Sequence, residues 1–289
     1  MRPWRPALVV LLLCLAAQGV GAAGVKLAVT GASDGFRERF SVALDEELGQ
    51  LSGDDISWVE PRKADLTLAL GDNAFRDALT LRRPVLGLFV SRDVALEAFT
   101  AGCGCSAFFS ETDPIRQLRL ARLLFPGAYR IGVLTSPGSA WVSGLLGPYA
   151  ESREITLVHS EVVDSNALAR ELPRLLSQVD VLLAVNDPQL YTAGTARLVL
   201  LTSYRQNKPV IGPDELFVQA GSVATTFTSG EDMVLQAARA VADYNNRGRL
   251  PPPDFATAFS VQVNQHVARS YGVPVLDEQT LWQQLEAGE

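Results

Sequence analysis

The run Val181-Leu182-Leu183-Ala184-Val185-Asn186-Asp187 constrains the fold most. An apolar stretch stops abruptly at two small polar residues. That is the pattern of a parallel strand buried on both faces, emptying into a loop at its carboxyl end. The chain repeats it. Val25–Val29 runs into Thr30-Gly31-Ala32-Ser33-Asp34, Leu66–Leu70 into Gly71-Asp72-Asn73, and Val85–Val90 into Ser91-Arg92-Asp93. Further on, Ile131–Leu134 runs into Thr135-Ser136-Pro137-Gly138-Ser139, and Val210-Ile211 into Gly212-Pro213-Asp214-Glu215. Open α/β sheets bind ligands at the carboxyl ends of their strands. Two sets of such strands predict two lobes with polar strand tips facing a shared cleft.

The segments between the strands read as helices. Phe36, Phe40, Ala43, Leu44 and Leu48 share one face at helical spacing, with Asp34 expected as the N-cap. A second series begins at Asp113-Pro114, with proline at the helix start where its missing N–H costs nothing. Ser229-Gly230-Glu231-Asp232 opens a long helix to Asn245, its acids at the positive end of the helix dipole. After the stiff Pro251-Pro252-Pro253 linker, alternation predicts a last strand over Phe255–Val263. A helical tail over Gln265–Glu286 follows, broken at Gly272-Val273-Pro274. Strands alternating with helices predict a doubly wound α/β architecture, parallel sheets with right-handed crossovers, in each lobe.

At 289 residues and 47% hydrophobic, the chain is long enough for two domains, and its net charge of -7 argues against nucleic acid or an anionic membrane surface as partner. Arg2 and Arg5, the apolar run Ala7–Ala17 and the small residues Val20-Gly21-Ala22 form a secretory signal peptide pattern over residues 1–22. The mature protein is therefore expected outside the cytoplasm. Cys14 leaves with the leader. Cys103 and Cys105 remain, and an oxidising compartment would permit them to pair. With no histidine or further cysteine nearby to complete a metal set, the favoured reading is an incidental loop.

Nothing in the chain resembles a catalytic constellation. Its two histidines are His159, inside an expected strand, and His266, near the tail. There is no nucleophile elbow, P-loop or zinc spacing. The expectation is a binding protein without enzymatic activity, cofactor or metal. The loops supply hydrogen bonding without reactivity: Ser33, Asp34, Asp72, Asn73, Ser91 and Arg92 from the first set, and Thr135, Ser136, Ser139, Asn186, Asp187 and Asp214 from the second. Phe36, Trp141, Tyr191 and Phe217 closely follow polar loops and are candidates to stack on a flat ligand, with Trp141 and Tyr191 placed among the ligand-binding residues. Arg92 and Glu111 are charged residues beside the cleft loops; the two readings for each are that it reads a ligand's charge or that it is merely solvated.

From Ile131 onward the order of motifs resembles the substrate-binding proteins of ABC transporters with the type I periplasmic-binding fold. More narrowly it is similar to the tryptophan- and tyrosine-type branch. The residues that carry the resemblance are Leu124-Phe125-Pro126-Gly127-Ala128 before Arg130–Leu134, Asp180-Val181 through Asn186-Asp187, and Asn207-Lys208-Pro209-Val210-Ile211-Gly212-Pro213-Asp214. The Gln219–Ala224 turn, Asn264, Ala268 and Tyr271-Gly272-Val273-Pro274 complete them. The resemblance implies a chain that passes between lobes near 110–114, 226–229 and 250–254. The first lobe would be residues 23–112 and 228–253, the second 113–227 and 254–289. It further implies a periplasmic monomer that captures a small molecule and delivers it to the membrane permease of an ABC transporter. A periplasmic sensory module that signals to a membrane receptor fits the same residues. The chain also departs from the amino-acid binders. Ala140-Trp141 stands where those carry an Asn-Ser pair, and Asn186-Asp187 where they have Asp then Asn. The ligand's identity is left open by these departures.

Overall fold

The computed structural model describes residues 25–51, 56–274 and 277–288; the expected signal peptide, residues 1–22, lies outside them. Two sheets organise the chain. The first holds β1 (Val25–Gly31), β2 (Ile56–Trp58), β3 (Leu66–Leu70), β4 (Val85–Val90) and β5 (Cys105–Phe109), all parallel, in the order β2-β1-β3-β4-β5. Every residue of β3 and β5 is buried, as expected of parallel strands covered on both faces by helices. The covering helices include α1 (Asp34–Leu51), α2 (Asp72–Leu79) and α3 (Arg92–Thr100).

The second sheet follows the helix α4 (Pro114–Leu124). It contains β6 (Arg130–Thr135), β7 (Thr156–Glu161), β8 (Val181–Leu183), β9 (Val210–Ile211), β10 (Ala224–Phe227) and β11 (Ser260–Val263), ordered β11-β10-β9-β8-β6-β7. Its helices are α5 (Trp141–Ser152), α6 (Ser165–Leu176), α7 (Ala193–Arg205) and α8 (Glu215–Ala220). The helix α9 (Gly230–Arg247) leaves this sheet and packs on α1. There Met233, Val234, Ala237, Ala238 and Val241 join Phe40, Leu44 and Leu48 in the core of the first lobe. The tail forms α10 (Gln265–Ser270) and α11 (Glu278–Glu286).

Several local expectations need correction. The last strand is antiparallel to β10 and begins at Ser260, not Phe255. The chain leaves β10 at its carboxyl end, visits the first lobe and returns at that same end. The returning strand therefore has to run the opposite way. Residues ahead of it are spent in the passage: Asp254 bridges Phe108 of β5, and Ala256 O accepts Arg116 Nη2 at 3.2 Å. The helix expected from Leu190 starts at Ala193. The Asp187 carboxylate accepts the N–H groups of Gln189 and Leu190 and holds them in a turn, and a Thr192–Thr195 capping box opens the helix. Asp34 is the first residue of α1 rather than its cap. Ser33 O accepts the N–H groups of Phe36 and Arg37, while the Asp34 carboxylate pairs with Arg37. Cys103 and Cys105, read as an incidental loop, are joined in a disulfide at the start of the edge strand β5.

Buried polar side chains tie the passages between lobes. Gln117 of α4 donates from Nε2 to Gly212 O at 3.0 Å and to Thr225 Oγ1 at 2.9 Å, and its Oε1 accepts Thr226 N–H at 3.1 Å. Gln236 of α9 accepts the N–H groups of Thr257 and Ala258 at 3.1 and 3.0 Å. The Gln117 carboxamide, satisfied at both ends, fixes its neighbours, since leaving either end unpaired costs about 1–3 kcal/mol.

Candidate site in the gap between the lobes

The passages leave from β5 and β10 at their carboxyl ends, so the polar strand tips of both sheets lie on the hinge side of their lobes. Direct contact across the gap comes from two helix starts. Arg92, first residue of α3, lays its guanidinium over the Trp141 ring, first residue of α5, with Cζ 4.3 Å from the centroid. Trp141 also meets Phe255 in the third passage, with centroids 6.1 Å apart, and Phe255 stands edge-on to Phe109 at 5.1 Å. A cation held on an indole face within about 6 Å is attracted by the ring quadrupole. Phe109 and Phe255 went unrecognised in the sequence as part of this floor; the available signal was an aromatic residue immediately beyond a proline linker and another at the end of a strand.

On the second lobe, Asp187 is buried and organises the loops. Its Oδ2 accepts Ser136 N–H at 2.9 Å and the Ser139 hydroxyl, while its Oδ1 accepts Gln189 N–H at 2.9 Å and Leu190 N–H at 3.1 Å. Burial pushes this carboxyl up, but the hydrogen bonds from Ser139, Ser136 and Gln189 outweigh it and hold the group below the ordinary aspartate value. Thr135 is buried and its hydroxyl lies 2.7 Å from His159 Nε2, which gives that histidine a structural role in the strand pair. Asn186 Oδ1 accepts Thr112 N–H at 2.8 Å, linking the tip of β8 to the first passage. Asp214 caps α8 by accepting Phe217 N–H at 2.8 Å.

Tyr191 and Asp214 line a groove of about 620 Å³ between α7 and α8, with Leu200, Leu216 and Phe217. Tyr191 stands edge-on to Phe217 at 5.7 Å; burial, then the Asp187 charge, pushes its phenol well above the usual range. Phe217 is buried and packs in the core, so it does not offer a face to a ligand, and Phe36 stacks on Phe40 within its own helix.

On the first lobe, Asp72 accepts Ser91 N–H at 2.7 Å and the Ser91 hydroxyl at 2.6 Å. Glu111 accepts Arg92 N–H with both oxygens, at 3.1 and 3.0 Å, and burial raises its carboxyl despite these bonds. Ser33, Asp34 and Asn73 are exposed. Thus Arg92, Glu111, Trp141, Asn186 and the Ser136–Ser139–Asp187 cluster stand at the gap with fixed partners. Ser33, Asp34 and Asn73 are exposed on the first lobe, with Asp34 paired to Arg37 of its own helix. Among the described residues no group of three or more His, Cys, Asp or Glu side chains is placed to hold a metal ion, and no helix is long and apolar enough to cross a membrane.

Two α/β lobes, joined by several passages and facing each other with their strand tips, define the type I periplasmic-binding fold, and solved structures share it. The ligand-free, open structure of CD0873, a substrate binding protein with adhesive properties from Clostridium difficile, is similar over 88% of this chain and 97% of its own, at 17% identity and a TM-score of 0.67. The ABC domain in complex with L-Trp from Streptococcus pneumonia covers the same shares at 16% identity and a TM-score of 0.56. A conserved domain protein from Vibrio cholerae matches at 17% identity with a TM-score of 0.55. No functionally curated protein matches the sequence. The family model for ABC transporter substrate binding proteins matches residues 109–279. The chain belongs to that family, whose members bind solutes and catalyse no reaction.

Proposed function

We propose that this protein captures a small solute between its lobes and hands it to the permease of an ABC transporter, working in the periplasm after export by residues 1–22. In this reading it is a monomer of the tryptophan- and tyrosine-type branch. Its first lobe comprises residues 23–112 and 228–253, its second 113–227 and 254–289. The observation that carries the reading is the approach of Arg92 and Trp141, which brings the strand tips of separate lobes to one place. A solute bound there touches both lobes and so favours the closed arrangement by hinge motion. The test is to identify the solute that co-purifies with the native protein by mass spectrometry, remove it, and measure small-angle scattering as it is added back. The radius of gyration is expected to fall. A solute that binds without compaction overturns capture by closure.

A further inference from the structure

We infer that the interlobe site selects a small organic carboxylate that carries no ammonium group, with Arg92 as the receptor for the anion and Trp141 as the plate that presents it. This rests on the solute-capture reading above and adds the ligand's chemical class to it.

Most of the acceptors at the gap are already engaged. An ammonium needs an acceptor with lone pairs to spare. A carboxylate offers about four lone-pair positions. Those of Asp187 are taken by Ser136 N–H, the Ser139 hydroxyl, Gln189 N–H and Leu190 N–H. Asp72 is engaged by the Ser91 N–H and hydroxyl. Glu111 is engaged by Arg92 N–H and, at 3.2 Å, by the Ser110 hydroxyl. The Asn186 carbonyl is held by Thr112 N–H. Asp187 is thus saturated, and Asp72 and Glu111, each held by two donors, are tied into their own loops, so an ammonium meets no unengaged carboxylate among these three.

The base is not. The Arg92 side chain is 26% exposed, yet among the described residues its one ion pair is with Asp93 at 3.8 Å, a side chain 72% exposed. So long and solvated an ion pair contributes little. Among the described residues no oxygen accepts a hydrogen bond from the guanidinium. Arginine presents five N–H donors in a planar fork that matches a carboxylate in bidentate fashion. Here Cζ already rests over the Trp141 ring, 4.3 Å from its centroid, so less side-chain freedom is lost when an anion docks. A partly buried cation short of a counter-charge, oriented by an aromatic plate and placed where two lobes meet, is a receptor for an anion. The ligand's apolar body then lies beside Trp141 and Phe255.

The test uses sets of compounds that share a skeleton and differ only in charge, titrated by calorimetry into the solute-free protein. One set is indole-3-propionate, indole-3-propionamide, L-tryptophan and tryptamine; the others carry the phenyl and the straight-chain skeletons. For any skeleton that binds, the carboxylate is expected to be at least tenfold tighter than its amide, amino acid or amine. Arg92→Gln is expected to lose at least tenfold for the carboxylate and less for the amide, so that the ratio between the two narrows. Arg92→Lys, which keeps the charge but not the fork, recovers part of that loss, which separates recognition from damage to the fold. An amino acid, amine or amide that binds as tightly as its carboxylate overturns the inference and leaves solute capture standing. So does Arg92→Gln with undiminished carboxylate affinity. Silence from every carboxylate overturns it too, and the solute recovered by mass spectrometry then decides solute capture independently.

Discussion

The strand tips of the two lobes are built differently. On the second lobe Thr135, Ser136, Ser139 and Asp187 are all buried, and one carboxylate ties the loop after β6 to the loop after β8. On the first lobe Ser33, Asp34 and Asn73 are exposed, and the Asp72–Ser91 and Glu111–Arg92 pairs cross between the strand-tip loops. The second lobe is a pre-set cradle whose shape is paid for in folding. The first lobe brings adaptable side chains to it. For the proposed solute capture, preorganisation on one side lowers the ordering cost of binding, and looseness on the other lets the lobes come apart again.

The contrast can be broken at its strongest point first. Asp187→Ala removes the acceptor of three buried or half-buried N–H groups and is expected to destabilise the protein by about 3 kcal/mol or more in urea unfolding. A loss under about 1 kcal/mol would erase the distinction between the lobes. The same carboxyl sharpens it through pH. Because its folded value lies below its unfolded one, its contribution is complete above about pH 4 and is lost as the pH falls through the folded value. Stability measured between neutral and strongly acidic pH is expected to fall less steeply in Asp187→Asn than in the wild type. A smaller effect belongs to Asp214→Ala, which removes an N-cap on the same lobe and is expected to cost about 1 kcal/mol by the same unfolding measurement. Smallest is Asp34→Ala on the first lobe. The side chain is almost fully exposed, and the change is expected to stay within about 0.5 kcal/mol, read as a nearly unmoved melting midpoint.

The buried parallel strands were legible because each announces itself locally, as an apolar run ended by small polar residues. Val181–Leu183 and Leu66–Leu70 are clear cases. The direction of β11 was not, because it is set by where the chain re-enters the sheet and not by any residue within Ser260–Val263. The site divides in the same way. Asp187, Ser136 and Ser139 were legible as strand-tip residues. That they satisfy one another was not, since the partners lie about fifty positions apart and meet only when β6 and β8 pair. Arg92 and Trp141 were each visible alone. Their stacking joins different lobes, and no local pattern encodes it. The pairing of Cys103 and Cys105 escaped for a simpler reason, that two cysteines flanking a glycine suit a loop as well as a bridge.

The first passage between the lobes is pinned at both ends. Ser110 N–H is fastened to Val90 O on one side, and Thr112 N–H to Asn186 on the other, leaving Glu111 alone in between. That residue's carboxylate grips the backbone of Arg92. In the proposed capture by closure, the joint about which the halves would swing and the mount that aims the cation are therefore one part. On that proposal, turning the joint re-aims the cation and seizing an anion leans on the joint, so grasping and shutting become a single mechanical event.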